Sequence, residues 1–152
     1  MKRSFLFGIL IILLGWATPP VAKAAVVGNF TQIEGQVDIL KGGKLPTVAV
    51  KVQDGVEVGD VVRTKPESRA QLKFIDDTTL TISPESRVAI EAYMFDAARN
   101  ERQAVLQIFR GVVHTLVTKL FKKEQPDFLI KTQTATVGIR GTSTYTSLLP
   151  AA

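Results

Sequence analysis

Apolar and polar residues alternate in short runs along most of this chain. In Gln71-Leu72-Lys73-Phe74 the leucine and phenylalanine fall on one face of an extended backbone while glutamine and lysine fall on the other, and Leu80-Thr81-Ile82-Ser83 repeats the pattern. Similar runs rich in Val, Ile, Thr and Phe recur about every 8–13 residues between Gly, Pro and Asp, a spacing that predicts an all-β sandwich or a related β fold. The expected strands cover 33–40, 48–52, 60–63, 70–74, 79–82, 88–93, 104–109, 112–117, 128–132 and 136–139. About ten short strands would thus build a compact sandwich-like domain or an irregular β-solenoid, with no strict internal repeat. Turns are expected at Lys41-Gly42-Gly43-Lys44, Asp54-Gly55, Asp76-Asp77 and Ser83-Pro84-Glu85-Ser86, whose residues tolerate positive φ, close Asx turns or fix a corner.

One segment carries two signals. Val113, Leu116, Val117, Leu120 and Phe121 recur at helical spacing, yet 112–118 is β-branched, which favours a strand. The expectation is strand to about Val117, then a loop or one helical turn before Pro126.

The N-terminus departs from the alternating pattern. Lys2 and Arg3 precede an uncharged run from Phe5 to Trp16, then Pro19 and Pro20, then Ala22-Lys23-Ala24. That order predicts a secretory signal peptide over 1–24, cleaved after Ala24, and a β domain over 25–152 with its core at about 33–145. An uncleaved anchor is the competing reading, but a spanning helix needs about 20 apolar residues and the prolines end this run early. The chain contains no cysteine, which removes disulfides, thiolate metal sites and thiol nucleophiles and excludes a lipid-modified N-terminal cysteine. Export to the bacterial periplasm or beyond fits a small domain without disulfides.

The signal also changes the charge argument. The whole chain has 19 basic and 14 acidic residues, a net charge of +5. Lys2, Arg3 and Lys23 leave with the peptide and bring the excess down to about +2, so most of the case for a nucleic-acid partner belongs to the segment that is removed.

Candidate chemistry is sparse. His114, the single histidine, lies in a β-branched run, as a strand or core residue would, and has no second histidine or cysteine with which to build a zinc site. Asp76 and Asp77 suit a turn better than calcium, and Asp54, Glu57 and Asp60 are read in the same way. No Gly-x-Ser-x-Gly elbow supports a hydrolase, and no carboxylate pair stands out for glycoside cleavage. Lys119-Leu120-Phe121-Lys122-Lys123 reads as an exposed basic hairpin before it reads as an anion site. Arg140-Gly141-Thr142 reads as a turn or bulge in which Arg140 pairs with Asp60 or Asp76 to pin sheets together, or else faces a partner.

Taken in order, Val58-Gly59-Asp60-Val61-Val62-Arg63-Thr64, Ser68-Arg69-Ala70-Gln71-Leu72 and Phe74-Ile75-Asp76-Asp77-Thr78-Thr79-Leu80-Thr81-Ile82 resemble the FecR domain family. The likeness continues through Pro84, Ser86 and 88–90, resumes at Phe109-Arg110-Gly111-Val112-Val113, and ends at 130–132, 135–137 and Ile139-Arg140-Gly141-Thr142. Asp77 stands where the family usually has a turn glycine, Gln133-Thr134 replaces a proline, and relatives usually continue with further strands beyond the position of Ala152. The resemblance implies a non-catalytic envelope domain. No cofactor or metal is expected, and Asp60, Arg63, Thr64, Asp76, Asp77, Arg140, Gly141 and Thr142 are the candidate structural or partner-binding positions. Well-understood relatives are anchored regulators that relay a signal from a TonB-dependent receptor to a sigma factor. A cleaved chain would lack their membrane span, so full relay is not expected. A stand-alone secreted member would bind an envelope protein, by strand addition at an open edge for instance. The alternative is a glycan or peptidoglycan module using Tyr93, Phe95, Phe121 and Tyr145, with a hydrolase behind it.

Overall fold

A computed structural model describes residues 24–117, 126–140 and 143–148. Within them run twelve strands: β1 (Val26–Glu34), β2 (Val37–Leu40), β3 (Val48–Ala49), β4 (Gly55–Glu57), β5 (Val61–Thr64), β6 (Arg69–Phe74), β7 (Thr79–Ile82), β8 (Arg87–Asp96), β9 (Glu101–Leu116), β10 (Phe128–Lys131), β11 (Thr136–Ile139) and β12 (Ser143–Leu148). The only other regular element among the described residues is one 3₁₀ turn, Lys41–Gly43.

The all-β expectation holds, and the pairing shows how two layers arise. β1 continues into β2, β5 into β6 and β7 into β8, while β9 is unbroken, so four long ribbons lie side by side. Each ribbon bends at the same level. One side of the bend carries β4-β1-β6-β7 and the C-terminal half of β9, flanked by β12. The other carries β3-β2-β5-β8 and the N-terminal half of β9, extended by β10 in parallel and then β11. The apolar positions of both layers meet in one cluster that includes Phe30, Leu72, Leu80 and Ile82 from the first layer and Ile39, Ile90, Leu106, Ile108, Phe128 and Ile130 from the second.

The shared crease is built from a short sequence repeat. Pro66-Glu67-Ser68-Arg69 and Pro84-Glu85-Ser86-Arg87 are the same tetrapeptide, and they join β5 to β6 and β7 to β8. In each, the glutamate takes a left-handed conformation (φ 54° at Glu67, 53° at Glu85) and the serine turns back under the neighbouring ribbon. Ser68 Oγ accepts the Gln36 N–H at 2.9 Å, and Ser86 Oγ accepts the Val112 N–H at 3.1 Å. The residue before each donor is a glycine at positive φ, Gly35 at 71° and Gly111 at 97°, because the serine occupies the space a side chain would need. Thr64 ties the two corners together, donating to the Ser83 carbonyl at 2.7 Å and accepting the Ser86 N–H at 2.9 Å. The sequence reading found no repeat, since four residues recur inside otherwise dissimilar strands.

Other differences follow from the crease. The expected strand 33–40 is broken at Gly35, and the separate strands 104–109 and 112–117 are one strand, β9, kinked at Gly111. The β-branching of 112–116 prevails over its helical spacing, as expected; the expected loop or turn after Val117 lies outside the described residues. Strand 48–52 shrinks to β3, because Val50 N–H bonds to the Val37 carbonyl and the chain then turns at 52–53. Most of β1, all of β4 and all of β12 were not anticipated: polar residues interrupt them in sequence, and pairing with β6, β1 and β9 holds them extended. The expected signal peptide falls on residues outside the description, except for Ala24, which is exposed. No helix among the described residues is long and apolar enough to cross a membrane.

Candidate functional site

Two polar constellations stand out, one buried and one exposed. The buried one is centred on Asp76 in the β6–β7 turn. Its Oδ1 accepts the Thr78 N–H at 3.1 Å, which is the expected Asx turn, and the Tyr93 hydroxyl at 2.6 Å. Its Oδ2 accepts the Thr78 hydroxyl at 2.8 Å and Arg102 Nη1 at 3.0 Å. Arg102 then reaches Asp127 through Nη2 at 2.7 Å. The side chains of Asp76 and Arg102 are 0% and 2% exposed, so this is a core ion pair. Tyr93 stacks on Phe74 and meets Phe128 edge-on. Burial withdraws the Arg102 guanidinium from water and on its own would lower its pKa, but hydrogen bonds to Asp127 and Asp76 raise it.

Burial, reinforced by the Asp76 carboxylate, pushes the Tyr93 phenol well above its ordinary range. A phenol kept neutral in the fold but free to ionise near pH ~10 when unfolded makes stability fall as pH rises past that value. Tyr93→Phe removes this component along with one hydrogen bond. The stability gap between wild type and Tyr93→Phe is therefore expected to narrow between pH 9 and 11 in urea melts; a constant gap would contradict it.

The other positions singled out in sequence divide between scaffold and surface. Asp60 is 1% exposed and closes the loop before β5, accepting Lys41 Nζ at 2.8 Å, Gly42 N–H at 2.9 Å and Glu57 N–H at 2.9 Å. Thr64 is buried in the crease. Asp77 takes φ 62° on the exposed turn and pairs with Lys73 at 2.8 Å, so an aspartate fills the left-handed position. Lys41 is the cation at Asp60 and Arg102 the cation at Asp76. Arg140 is exposed just after β11, while Gly141, Thr142 and 119–123 lie outside the described residues.

Arg63 belongs to the exposed constellation. Register sets Asp38, Arg63, Arg87 and Arg110 opposite one another across β2, β5, β8 and β9. With Lys65, Pro66, Glu85 and Phe109 the arginines line an open groove of about 400 Å³ beside the crease. Asp38 meets Arg63 at 2.9 Å and Lys65 at 3.6 Å, and Glu85 meets Arg110 at 3.4 Å. Arg87 has no carboxylate partner among the described residues and lies over the Phe109 ring, 5.3 Å from its centre. The Nε of Arg63 is buried without an acceptor. Phe109 also packs on Leu40, Val61 and Ala89, which gives this outer face a small apolar floor. Like charges directly opposite on neighbouring strands destabilise a sheet by about 0.2–1 kcal/mol per pair. Four cations here face two carboxylates, and the excess is suited to planar anions, which guanidinium groups hold through paired hydrogen bonds. Sequence reading found Arg63 alone, because the three arginines are more than twenty residues apart and only register aligns them.

The aromatic residues named for a sugar site scatter. Tyr93 is in the core, Phe95 is half-buried, and Phe121 lies outside the described residues. Tyr145 on β12 is 75% exposed and stacks on half-buried His114, opposite it in register, with ring centres 4.0 Å apart. His114 thus sits in a strand. No group of three or more His, Asp or Glu residues among those described is placed to hold a metal.

A family model described as FecR protein matches residues 60–148, more than half of the chain. The match opens just before β5 and takes in every groove-lining residue. No curated protein and no solved structure matches.

Proposed function

The chain belongs to the FecR family, a family of regulatory, envelope-associated domains, and from that premise we propose that it is an exported, non-catalytic domain that acts by binding a protein partner in the envelope. One observation carries this reading: β5, β8 and β9 keep three arginines in register on an outer face, where Asp38 and Glu85 pair two of them and no carboxylate among the described residues pairs Arg87. Four cations against two carboxylates leave a positive excess that a partner supplying anions would neutralise. The buried Asp76–Arg102–Asp127 network supports the same division of labour, since its donors and acceptors face inward and hold the scaffold. Export rests on the order of charge, apolar run and small residues at the N-terminus.

A glycan-binding reading draws on one observation, the exposed Tyr145 ring stacked on His114, which offers a flat face in the other layer. Photo-cross-linking separates the two. A photoreactive residue at position 65, on the groove lining and clear of the arginine row, is expected to give a discrete protein adduct in envelope preparations, on a chain whose mass begins at Ala25. Sedimentation with peptidoglycan that is abolished by Tyr145→Ala, with no adduct at 65, would replace the protein reading with the glycan one. An intact Met1 in the membrane fraction would overturn export.

A further inference from the structure

We infer that the groove beside the crease takes an extended peptide segment of the partner protein in which acidic residues alternate with apolar ones; this rests on the contact reading above and gives it a chemistry. Neighbouring strands are about 4.8 Å apart, so arginines on β5, β8 and β9 spread positive charge over about 10 Å. A single phosphate or carboxylate meets one or two of them. An extended peptide places every second side chain on the same side about 6.6 Å apart, so two or three acidic residues at alternate positions reach the whole row. The groove is not uniformly basic. Glu85 stands on its rim with its side chain 57% exposed, and Asp38 shields Arg63. A dense polyanion with a charge at every step would be repelled there, whereas a segment of spaced charges avoids both carboxylates. Phe109, Pro66 and the apolar floor offer contact to the intervening side chains. Arg87, with no carboxylate of its own and a ring beneath it, is the central anchor.

The chain itself offers no such segment at 118–125, whose Lys119, Lys122 and Lys123 make it basic. Charge complementarity with the arginine row assigns the groove to an acidic segment of the partner protein.

The test is fluorescence polarisation with a labelled octapeptide of alternating glutamate and valine, using the full mature chain. Binding is expected to weaken about tenfold in Arg87→Ala, about the loss of one charge-assisted contact. It should weaken comparably in Arg110→Ala, tighten in Glu85→Gln as the rim repulsion goes, and fall with added salt. Arg69→Ala, an exposed cation in the other layer, should leave it unchanged, and circular dichroism should show the Arg87 and Arg110 variants folded. Equal binding by wild type and Arg87→Ala, or tighter binding of a polyphosphate of matched charge through the same arginines, would overturn the inference. A protein adduct at position 65 without peptide binding would remove the acidic-segment chemistry and leave the contact reading standing.

Discussion

Asp76→Ala is expected to cost about 3–5 kcal/mol, the range for stranding one partner of a buried ion pair and a large fraction of the about 5–15 kcal/mol by which a domain is stable. The substitution takes the acceptor from the Tyr93 hydroxyl, from the Thr78 amide and hydroxyl, and from Arg102 Nη1 in one step. Arg102 cannot swing into water, since its side chain is 2% exposed. The damage also travels: Asp76 lies in the β6–β7 turn, Tyr93 on β8, Arg102 on β9, and Asp127 leads into β10, so one network joins four parts of the fold. β10 otherwise docks through its parallel pairing with β9, and its protection from hydrogen exchange should fall first. Asp76→Asn keeps acceptors at the turn and should cost less. Adding Arg102→Met to Asp76→Ala should recover stability, because it removes the stranded cation and refills its volume. Urea denaturation reads all three, and a loss below 1 kcal/mol in Asp76→Ala would show that the network is not what holds the turn against β9.

This network marks the border between what the sequence reveals and what it hides. Asp76 is legible as a turn former, because an Asx turn is decided by neighbours two positions away, and Thr78 is such a neighbour. Its ion pair with Arg102 is 26 positions distant and depends on the β8–β9 register. The strands are legible wherever one face is buried and the other wet, as at Leu72 and Phe74. They are not legible where pairing alone keeps the backbone extended, as in β12, whose Ser143, Thr144 and Thr146 give no apolar rhythm. The candidate site follows the same division. Arg63 and Arg110 each stand within a family motif, but nothing in sequence joins them to each other or to Arg87; they become neighbours only because β5, β8 and β9 align. Family likeness supplied the regulatory class; it could not supply the groove, which is a property of register and charge.

Gly111→Ala is expected to cost about 3 kcal/mol or more, from strain at a backbone angle that disfavours side chains together with a lost buried hydrogen bond. At φ 97° a methyl group would lie 2.0 Å from Ser86 Oγ and 2.6 Å from Ser86 Cα. The serine would have to leave, and with it the acceptor for the Val112 N–H. Truncating the serine should not repair this, because its backbone is itself in the way, so Ser86→Ala combined with Gly111→Ala should stay destabilised. The equivalent corner behaves differently. A methyl at Gly35 meets Ser68 Oγ at 2.4 Å but only Cβ at 3.0 Å and the Glu67 carbonyl at 3.1 Å, so Ser68→Ala should return part of the loss in Gly35→Ala. Gly42, at φ 57° with nothing within 4 Å, is the control for backbone strain alone and should cost about 1 kcal/mol on substitution by alanine. If Gly111→Ala cost no more than Gly42→Ala in urea melts, the crease would not depend on close approach at the glycine. Because Arg110 precedes Gly111 and Arg87 follows Ser86, opening this corner also parts the two arginines nearest to it. A Gly111→Ala protein still folded at low temperature should therefore bind the alternating acidic peptide less tightly than wild type, while a variant at Gly42 should bind it equally well. Stability and contact would then fail together at one corner, as they must if the crease is what holds the arginine row in register.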